Sequence, residues 1–237
     1  MAKITHLEQI SYFDKILHEL STPVHGILNL SDVLHSEWKN IDELTRHDCI
    51  KNIWDSAQTL ADLVNELRTM HDFKSSQIRI DIAEIDIINL VKNSLSQVNY
   101  RLDEKGLQSE VISEMNVCMA RVDKIWVKQL LVNLLNNAIN HTDAGMISVH
   151  ISIVENDKSK NLHIAVKDQG VGIKEDELAL IFEPLQQGSN SSRKIKSSGS
   201  GIGLAICKEI TEKHYGRIWA SNNEDKGATI EFSIPLS

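Results

Sequence analysis

The chain has 237 residues, 41% of them hydrophobic and 24% charged, a composition typical of a globular protein with one large or two ordinary domains. Its formal net charge of -8 at pH 7 argues against a general nucleic-acid-binding surface, which requires a basic face. Cys49, Cys118 and Cys207 are widely spaced and odd in number, which argues against a disulfide framework or a metal knuckle.

Apolar runs in the chain are short. None approaches the roughly 20 residues needed to cross a bilayer, and the N-terminus "MAKITHLEQISYF" lacks the apolar core of a secretory signal. We therefore expect a cytoplasmic chain without membrane contact or a nucleic-acid partner, or else the soluble piece of a longer protein.

Residues 1–74 predict two long helices joined by a turn within residues 35–46. Apolar side chains recur at steps of three and four, the spacing of a heptad seam. The first seam comprises Ile10, Phe13, Leu17, Leu20, Val24, Ile27, Ser31 and Leu34, and the second comprises Ile50, Ile53, Ala57, Leu60, Val64 and Leu67. Two helices alone cannot bury both sides of such seams, so we expect an antiparallel hairpin that forms a four-helix bundle as a homodimer.

The pattern changes after a hinge expected at residues 74–77, and residues 75–237 form the second predicted domain. Strands are predicted at residues 77–85, 107–114, 117–122, 146–155, 162–168, 216–222 and 228–236. Helices are predicted at residues 86–106, 123–142 and 202–215. This mixture indicates an α/β two-layer sandwich, one sheet with helices packed on it.

His18 lies one step past a seam position, on the exposed side of the first helix, with Glu19 beside it. A neutral imidazole nitrogen is a competent nucleophile, and a neighbouring carboxylate can fix its tautomer. Pro23 removes the hydrogen bond to the carbonyl of Glu19, so the helix should bend there and open room for a reactant. An ordinary exposed histidine is the alternative reading. His25, on the same face but without an adjacent acid, is the rival nucleophile.

Two further features are compatible with nucleotide binding, although each alone is weak. Asn133 and Asn137 share a helix face, and amide oxygens suit a hard cation such as Mg²⁺. In "DQGVGI" the carboxylate of Asp168 can accept a hydrogen bond from an exocyclic amine, and Gly170 and Gly172 permit close approach of a flat ring. Solvent exposure and an ordinary strand-to-helix turn are the respective alternatives.

The stretch "GSGIGLAI" opens the last long helix, where the amides at Gly199, Gly201 and Gly203 favour phosphate. The polar segment before it resembles a mobile lid, whose Arg193 and Lys194 could approach phosphates. A plain surface loop is equally compatible with its composition.

In this order, the motifs resemble the catalytic core of two-component sensor histidine kinases over nearly the whole chain. "LHELSTPVHGI" looks like that family's phosphoacceptor box, "NLLNNAINHT" its N box and "DQGVGI" its G1 box. "IFEPL" resembles its F box, "GSGIGLAI" its G2 box, and "KGATIEFSIPL" its closing strand.

The resemblance implies a dimerisation and phosphotransfer hairpin followed by a Bergerat-type ATP-binding domain. It makes His18 the phosphoacceptor, Glu19 the general base or orienting carboxylate, and Thr22 the residue associated with dephosphorylating a partner. It assigns Mg²⁺ to Asn137, with Asn133 as a second ligand, and adenine recognition to Asp168. The remaining ATP-binding residues implied are Asn140, His141, Gly170, Gly172, Phe182, Arg193, Lys194, Gly199, Gly201, Gly203 and Leu204.

The implied activity is autophosphorylation of His18 by ATP, followed by transfer to an aspartate of a response-regulator receiver domain. Ser21 stands where the family commonly has arginine, and Asn140 and His141 stand where it has lysine and an aromatic residue. These departures motivate an alternative, a nucleotide-binding signalling scaffold with little kinase activity. An ATPase clamp of the gyrase, chaperone or mismatch-repair kind is the third hypothesis, but such a protein has no use for the histidine-bearing hairpin.

Overall fold

The computed structural model describes residues 6–75, 78–156, 159–184 and 201–236, with side chains from residue 14 onward except at positions 74, 156 and 159. Two compact units divide between His71 and Asp72. The domain boundary expected after residue 74 stays a prediction. None of the helices within these ranges is both long and apolar enough to span a membrane, and the expected cytoplasmic location likewise remains a prediction.

The first unit is a helical hairpin. Helix α1 spans His6–Glu37 and helix α2 spans Glu43–Lys74, so each has 32 residues and is about 48 Å long. The intervening turn lies inside the predicted range, and Asp42 caps α2 by accepting a hydrogen bond from the Thr45 amide at 2.7 Å. Gly26 of α1 lies against Ser56 of α2, which is the pairing expected for antiparallel helices.

The second unit is α/β. Its elements in chain order are β1 (Ala83–Asp86), α3 (Ile87–Lys105), β2 (Gln108–Ser113), β3 (Met119–Val122), α4 (Lys124–His141), β4 (Met146–Asn156), β5 (Ser159–Lys167), α5 (Gly203–Lys213), β6 (Arg217–Asn222) and β7 (Ala228–Pro235). The main sheet has the strand order β2-β4-β5-β7-β6, with only the β2–β4 pair parallel. A helical region followed by an α/β unit is therefore confirmed.

Local capping explains where α3 begins and ends and where α4 begins. Asp86 accepts a hydrogen bond from the amide of Ile88, and Asp123 accepts from those of Ile125 and Trp126. Gly106 ends α3 with a φ of 64°, the left-handed conformation common at helix C-termini.

The core lies between the main sheet and its helices. Alternate residues of β4, β5 and β7 are buried, and α4 packs against β4 and β5 while α5 packs against β7. Helix α4 lies between α3 and α5 and contacts both. Its buried face is the predicted one: Val127, Leu130, Leu131, Leu134, Leu135, Ala138 and Ile139.

Two details of the sequence-based interpretation are wrong. The strand predicted at residues 77–85 is shorter: within its described part, residues 78–82 are not strand and β1 begins at Ala83, because the Asp81 amide donates to the Asp123 carboxylate at 2.8 Å instead of to a neighbouring strand. There is also more than one sheet: β1 pairs with β3 in a separate two-stranded antiparallel sheet.

Candidate functional site

His18 and Thr22 are exposed on α1, one turn apart, and Glu19 is half-buried. The Thr22 hydroxyl donates to the His18 carbonyl at 3.2 Å, and the Ser21 hydroxyl donates to the Leu17 carbonyl at 2.6 Å. Helix α1 continues through Pro23, so the bend expected there stays a prediction. The rival nucleophile His25 is also exposed, so exposure alone does not distinguish the two histidines.

Asp168 follows the last residue of β5 and is only 6% exposed. One carboxylate oxygen accepts hydrogen bonds from the amides of Gly170 at 2.8 Å and Ala228 at 3.2 Å. Burial raises the pKa of Asp168, and these two hydrogen bonds and His141 oppose that shift. A carboxylate held in this way can accept a further hydrogen bond from a ligand amine at its other oxygen.

Gly170 brings the Asp168 loop close to the end of α4. A Cβ atom at Gly170 would lie 2.2 Å from the backbone oxygen of His141, so a side chain there would separate the two segments. The adjacent Gly172 has a φ of 73°, which other residues rarely adopt. Both glycines of the predicted G1 box are therefore required by the local backbone geometry.

His141 is exposed by surface area, yet the surrounding protein still removes water from its ring. This desolvation lowers the pKa of His141, the Asp168 carboxylate raises it, and Lys105 lowers it further. The lowered pKa favours the neutral imidazole at pH 7.

Helices α4 and α5 meet at Asn133 and Gly203. The Asn133 amide nitrogen donates to the Gly203 carbonyl at 3.3 Å, which brings the predicted N box to the start of the predicted G2 box. Ile202 is the N-cap of α5 and makes no side-chain capping bond. Gly201, with a φ of 67°, precedes it, and Leu204 in the first turn is half-buried.

The two asparagines differ in their fitness for Mg²⁺. The side-chain oxygen of Asn133 accepts a hydrogen bond from the Gln129 side chain at 2.9 Å. The side-chain amide of Asn137 is half-buried and makes no hydrogen bond to any described residue. A magnesium ion keeps several waters and needs few protein oxygens, so one amide and a phosphate-bearing ligand fit its chemistry. Asn137 is thus the better candidate. The described residues contain no cluster of three His, Cys, Asp or Glu side chains that could hold a metal by themselves.

Of the predicted residues not yet placed, the structure describes Phe182 but not the residues of the segment before α5. Phe182 is buried, and the next residue, Glu183, forms a 2.9 Å salt bridge with Lys208 of α5. This hydrogen-bonded pair raises the pKa of Lys208. Arg193, Lys194 and Gly199 fall outside the described residues.

Two cations of α3 that the sequence interpretation missed attach to the polar side of α4. Arg101 donates from its two terminal nitrogens to the side-chain oxygens of Asn136 at 2.5 Å and Asn140 at 2.6 Å. Lys105 donates to the carbonyl of Ile139 at 2.6 Å, in the last turn of α4. The spacing of four residues between the two cations was visible in the sequence, but their partners lie more than 30 residues away.

Two asparagines after β6 were also missed, and they hold the Asp168 loop. Asn222 exchanges hydrogen bonds with the backbone of Ile173, at 2.8 Å and 2.6 Å. Asn223 donates to the Asp168 carbonyl at 2.8 Å. An asparagine pair before a glycine signals a turn, but nothing local to it indicates the loop it supports.

Residues 122–237 match the family described as histidine kinase-, DNA gyrase B- and HSP90-like ATPases. The autoinducer 2 sensor kinase/phosphatase LuxQ of Vibrio cholerae is 32% identical over 227 residues, which are 95% of this chain. The chain spans only 26% of that relative's length.

Two solved structures share the fold. Histidine kinase AdeS of Acinetobacter baumannii has a TM-score of 0.72 at 24% identity, covering 93% of this chain and 98% of that one. Histidine kinase ThkA in complex with response regulator protein TrrA has a TM-score of 0.74 at 21% identity, covering 97% of this chain and 64% of that one. Residues 122–237 therefore belong to the histidine kinase-, DNA gyrase B- and HSP90-like ATPase family, and the LuxQ similarity together with the ordered motifs supports a two-component sensor histidine kinase catalytic core.

Proposed function

We propose that the chain is an ATP-dependent histidine autokinase that phosphorylates His18 and passes the phosphoryl group to an aspartate of a response-regulator receiver domain. The observation that carries the proposal is the grouping in one unit of the Asp168 carboxylate, the end of α4 and the start of α5. These supply an acceptor for the adenine amine, amide side chains for a cation, and helix N-terminal amides for phosphate.

In the proposed first step, a neutral ring nitrogen of His18 forms a bond to the γ-phosphorus of ATP. The bond from that phosphorus to the bridging oxygen breaks, and ADP leaves with the electron pair. Glu19, beside His18, takes up or orients the proton on the other ring nitrogen. Mg²⁺, held by Asn137, would neutralise phosphate charge. The other predicted phosphate contacts are Gly199, Gly201, Gly203, Arg193 and Lys194.

In the proposed second step, an aspartate oxygen of the receiver attacks the phosphorus of phospho-His18, and the imidazole leaves with the electrons of the N–P bond. ThkA, whose fold this chain shares, was solved with a response regulator, which supports a partner of this class. Thr22 is exposed one turn from His18, which suits a role in the separate phosphatase reaction, in which water hydrolyses the aspartyl phosphate of the receiver to a free carboxylate and inorganic phosphate.

We also propose that the active form is a homodimer in which two hairpins build a four-helix bundle. Leu17 is 58% exposed, Ile50 and Val64 are each 52% exposed, and all three belong to the predicted seams of the hairpin. Apolar side chains left exposed at heptad spacing are the pattern of a helix surface that packs against another helix.

The direct test incubates the protein with γ-labelled ATP and Mg²⁺, alongside the variants His18→Gln and His25→Gln. We expect the parent and His25→Gln to acquire label that is lost in acid and kept in base, and His18→Gln to acquire none. His25→Gln is a matched control because His25 is exposed on the same helix, seven residues further along.

Other outcomes separate the remaining hypotheses. A parent that binds ATP without labelling supports the scaffold, and Asn140, which replaces a lysine, becomes the residue to test. Steady hydrolysis with no acid-labile phosphate supports the ATPase clamp. Labelling of His18→Gln but not of His25→Gln transfers the phosphoacceptor role to His25.

A further inference from the structure

The guanidinium of Arg101 lies over the polar side of α4, although Arg101 belongs to α3. Its two terminal nitrogens are held by the oxygens of Asn136 and Asn140, which are four residues apart on one helix face. A guanidinium bonded at both nitrogens to a helix face is fixed in position, unlike the flexible ammonium of a lysine. Arg101 therefore presents a fixed positive charge at this place.

None of the acidic side chains that the structure describes pairs with this charge. Arg101 forms no salt bridge within the part of the chain that the structure describes, and both of its identified partners are uncharged amides. Lys105, one turn further along α3, adds a second cation. Burial lowers the pKa of Lys105, the Asp143 carboxylate opposes that shift, and Arg101 lowers the pKa further. Two cations therefore lie close together here, and Arg101 has no carboxylate partner among the described residues, although the chain as a whole carries a net charge of -8.

The position of this charge relative to the candidate ATP site follows from the geometry of α4. Asn137 and Asn140 are three residues apart, which places their Cβ atoms about 5–6 Å from each other on the same face. Asn137 is the candidate magnesium ligand, and Arg101 is bonded to Asn140. A phosphate bound beside Asn137 would therefore lie next to the helix position that carries the guanidinium.

We propose that Arg101 binds the phosphates of ATP and that Asn136 and Asn140 position its guanidinium for that contact. The inference rests on the proposed kinase function, because it requires that ATP occupies the α4 site. It also gives a role to Asn140, where similar proteins commonly carry a lysine. In this chain the positive charge is delivered to that position from the neighbouring helix.

The test measures the affinities of the full chain for ATP and for adenosine, in the parent and in Arg101→Gln. A phosphate contact predicts that Arg101→Gln binds ATP about tenfold more weakly and binds adenosine as the parent does, because adenosine has no phosphate. Lys92→Gln is the charge-matched control. Lys92 is exposed on the same helix nine residues away, which is roughly 13 Å along the helix axis. This distance exceeds the length over which physiological salt screens a charge, so the Lys92 charge should have little effect on a phosphate beside Arg101.

Two further variants distinguish phosphate binding from a bridge that merely joins α3 to α4. Adding Asn140→Lys to Arg101→Gln is expected to restore most of the ATP affinity by supplying a cation from α4 itself. Arg101→Lys keeps the charge and is expected to keep more ATP affinity than Arg101→Gln, even if both lower the melting temperature.

Equal weakening of ATP and adenosine binding in Arg101→Gln, without rescue by Asn140→Lys, would overturn the inference in favour of a structural bridge. An unchanged ATP affinity in Arg101→Gln would overturn it as well, while leaving the proposed kinase function intact. A parent that binds neither ligand would remove both the proposed function and this inference.

Discussion

The two units of the chain bury their apolar residues to very different extents. In the α/β unit, Leu130, Ile164 and Phe232 have no exposed surface. In the hairpin the second predicted seam is divided: Ile53 and Leu60 are half-buried, whereas the alternate seam residues Ile50, Ala57 and Val64 remain exposed. The α/β unit therefore has a complete core of its own, and the hairpin has half of one.

This difference assigns separate sources of stability to the two units. Burial of apolar surface stabilises by roughly 25 cal/mol per Å², so an exposed seam contributes little until another helix covers it. We infer that the α/β unit folds independently of protein concentration, whereas the hairpin depends on a second copy. Changes in each unit should therefore have effects of different kinds.

The largest expected effect is that of Val64→Glu in the hairpin. Val64 is 52% exposed in a single chain and would be buried between two hairpins in the proposed dimer. A glutamate there would place one carboxylate from each subunit in an apolar interface. We expect the dimer to weaken by more than 100-fold, which corresponds to about 3 kcal/mol. Sedimentation analysis over a range of concentrations measures this directly.

Asn65→Glu is the matched control, because Asn65 is the next residue on α2 and lies outside the seam. It should leave the dimer intact. In Val64→Glu the thermal transition of the α/β unit should keep its midpoint. A parent that sediments as a monomer at all concentrations would contradict the dimer proposal.

The second effect concerns ligand recognition by Asp168 in the α/β unit. In Asp168→Asn the oxygen that accepts from Gly170 and Ala228 can be retained, but an amide group replaces the free carboxylate oxygen as a partner for adenine. We expect ATP affinity to fall about 10- to 100-fold, the value of a hydrogen bond to a charged group. The affinity for inosine triphosphate, which lacks the exocyclic amine, should fall much less. Equal losses for both nucleotides would contradict the adenine contact.

The same residue predicts a pH dependence. Burial raises the pKa of Asp168 above its usual value of 3.8, so the folded protein protonates this carboxylate at a higher pH than the unfolded chain does. Its contribution to stability is therefore most favourable at low pH and is lost as the pH rises through the raised pKa. ATP affinity should change in the opposite direction, falling as acid protonates Asp168. Asp168→Asn should lack this step in a titration of affinity against pH.

Much of the fold was predictable because its signals are local. The helix starts at Asp86 and Asp123 and the helix end at Gly106 each depend on a side chain or glycine at the boundary itself. The exposed position of His18 followed from the heptad count alone. Patterns of this kind can be read within one or two helical turns.

The features that the sequence did not predict depend on contacts between residues that are far apart in the chain. Residues 78–82 alternate like a strand, but the Asp81 amide bonds to Asp123, 42 residues away. The contact between Arg101 and Asn140 joins residues 39 positions apart, and neither end has a distinctive neighbourhood. The close approach of Gly170 to His141 likewise appears only once α4 and β5 are packed together.

The smallest expected effect is at Tyr215, just after α5. Tyr215 is 90% exposed and has a φ of 58°, a left-handed conformation that costs residues other than glycine about 1 kcal/mol. Glycine removes this strain, although it also increases the entropy of the unfolded chain. We expect Tyr215→Gly to raise the free energy of unfolding of the α/β unit by about 0.5–1 kcal/mol, or its melting temperature by roughly 2–4 °C.

Tyr100→Gly provides the opposite case, because Tyr100 is 76% exposed within α3. The same substitution there should destabilise by about 1 kcal/mol, since glycine is unfavourable inside a helix. If both variants melt below the parent, the backbone at Tyr215 is not strained. If Tyr215→Gly alone melts higher, the left-handed turn that leads α5 into β6 holds strain at a position where the side chain contacts little.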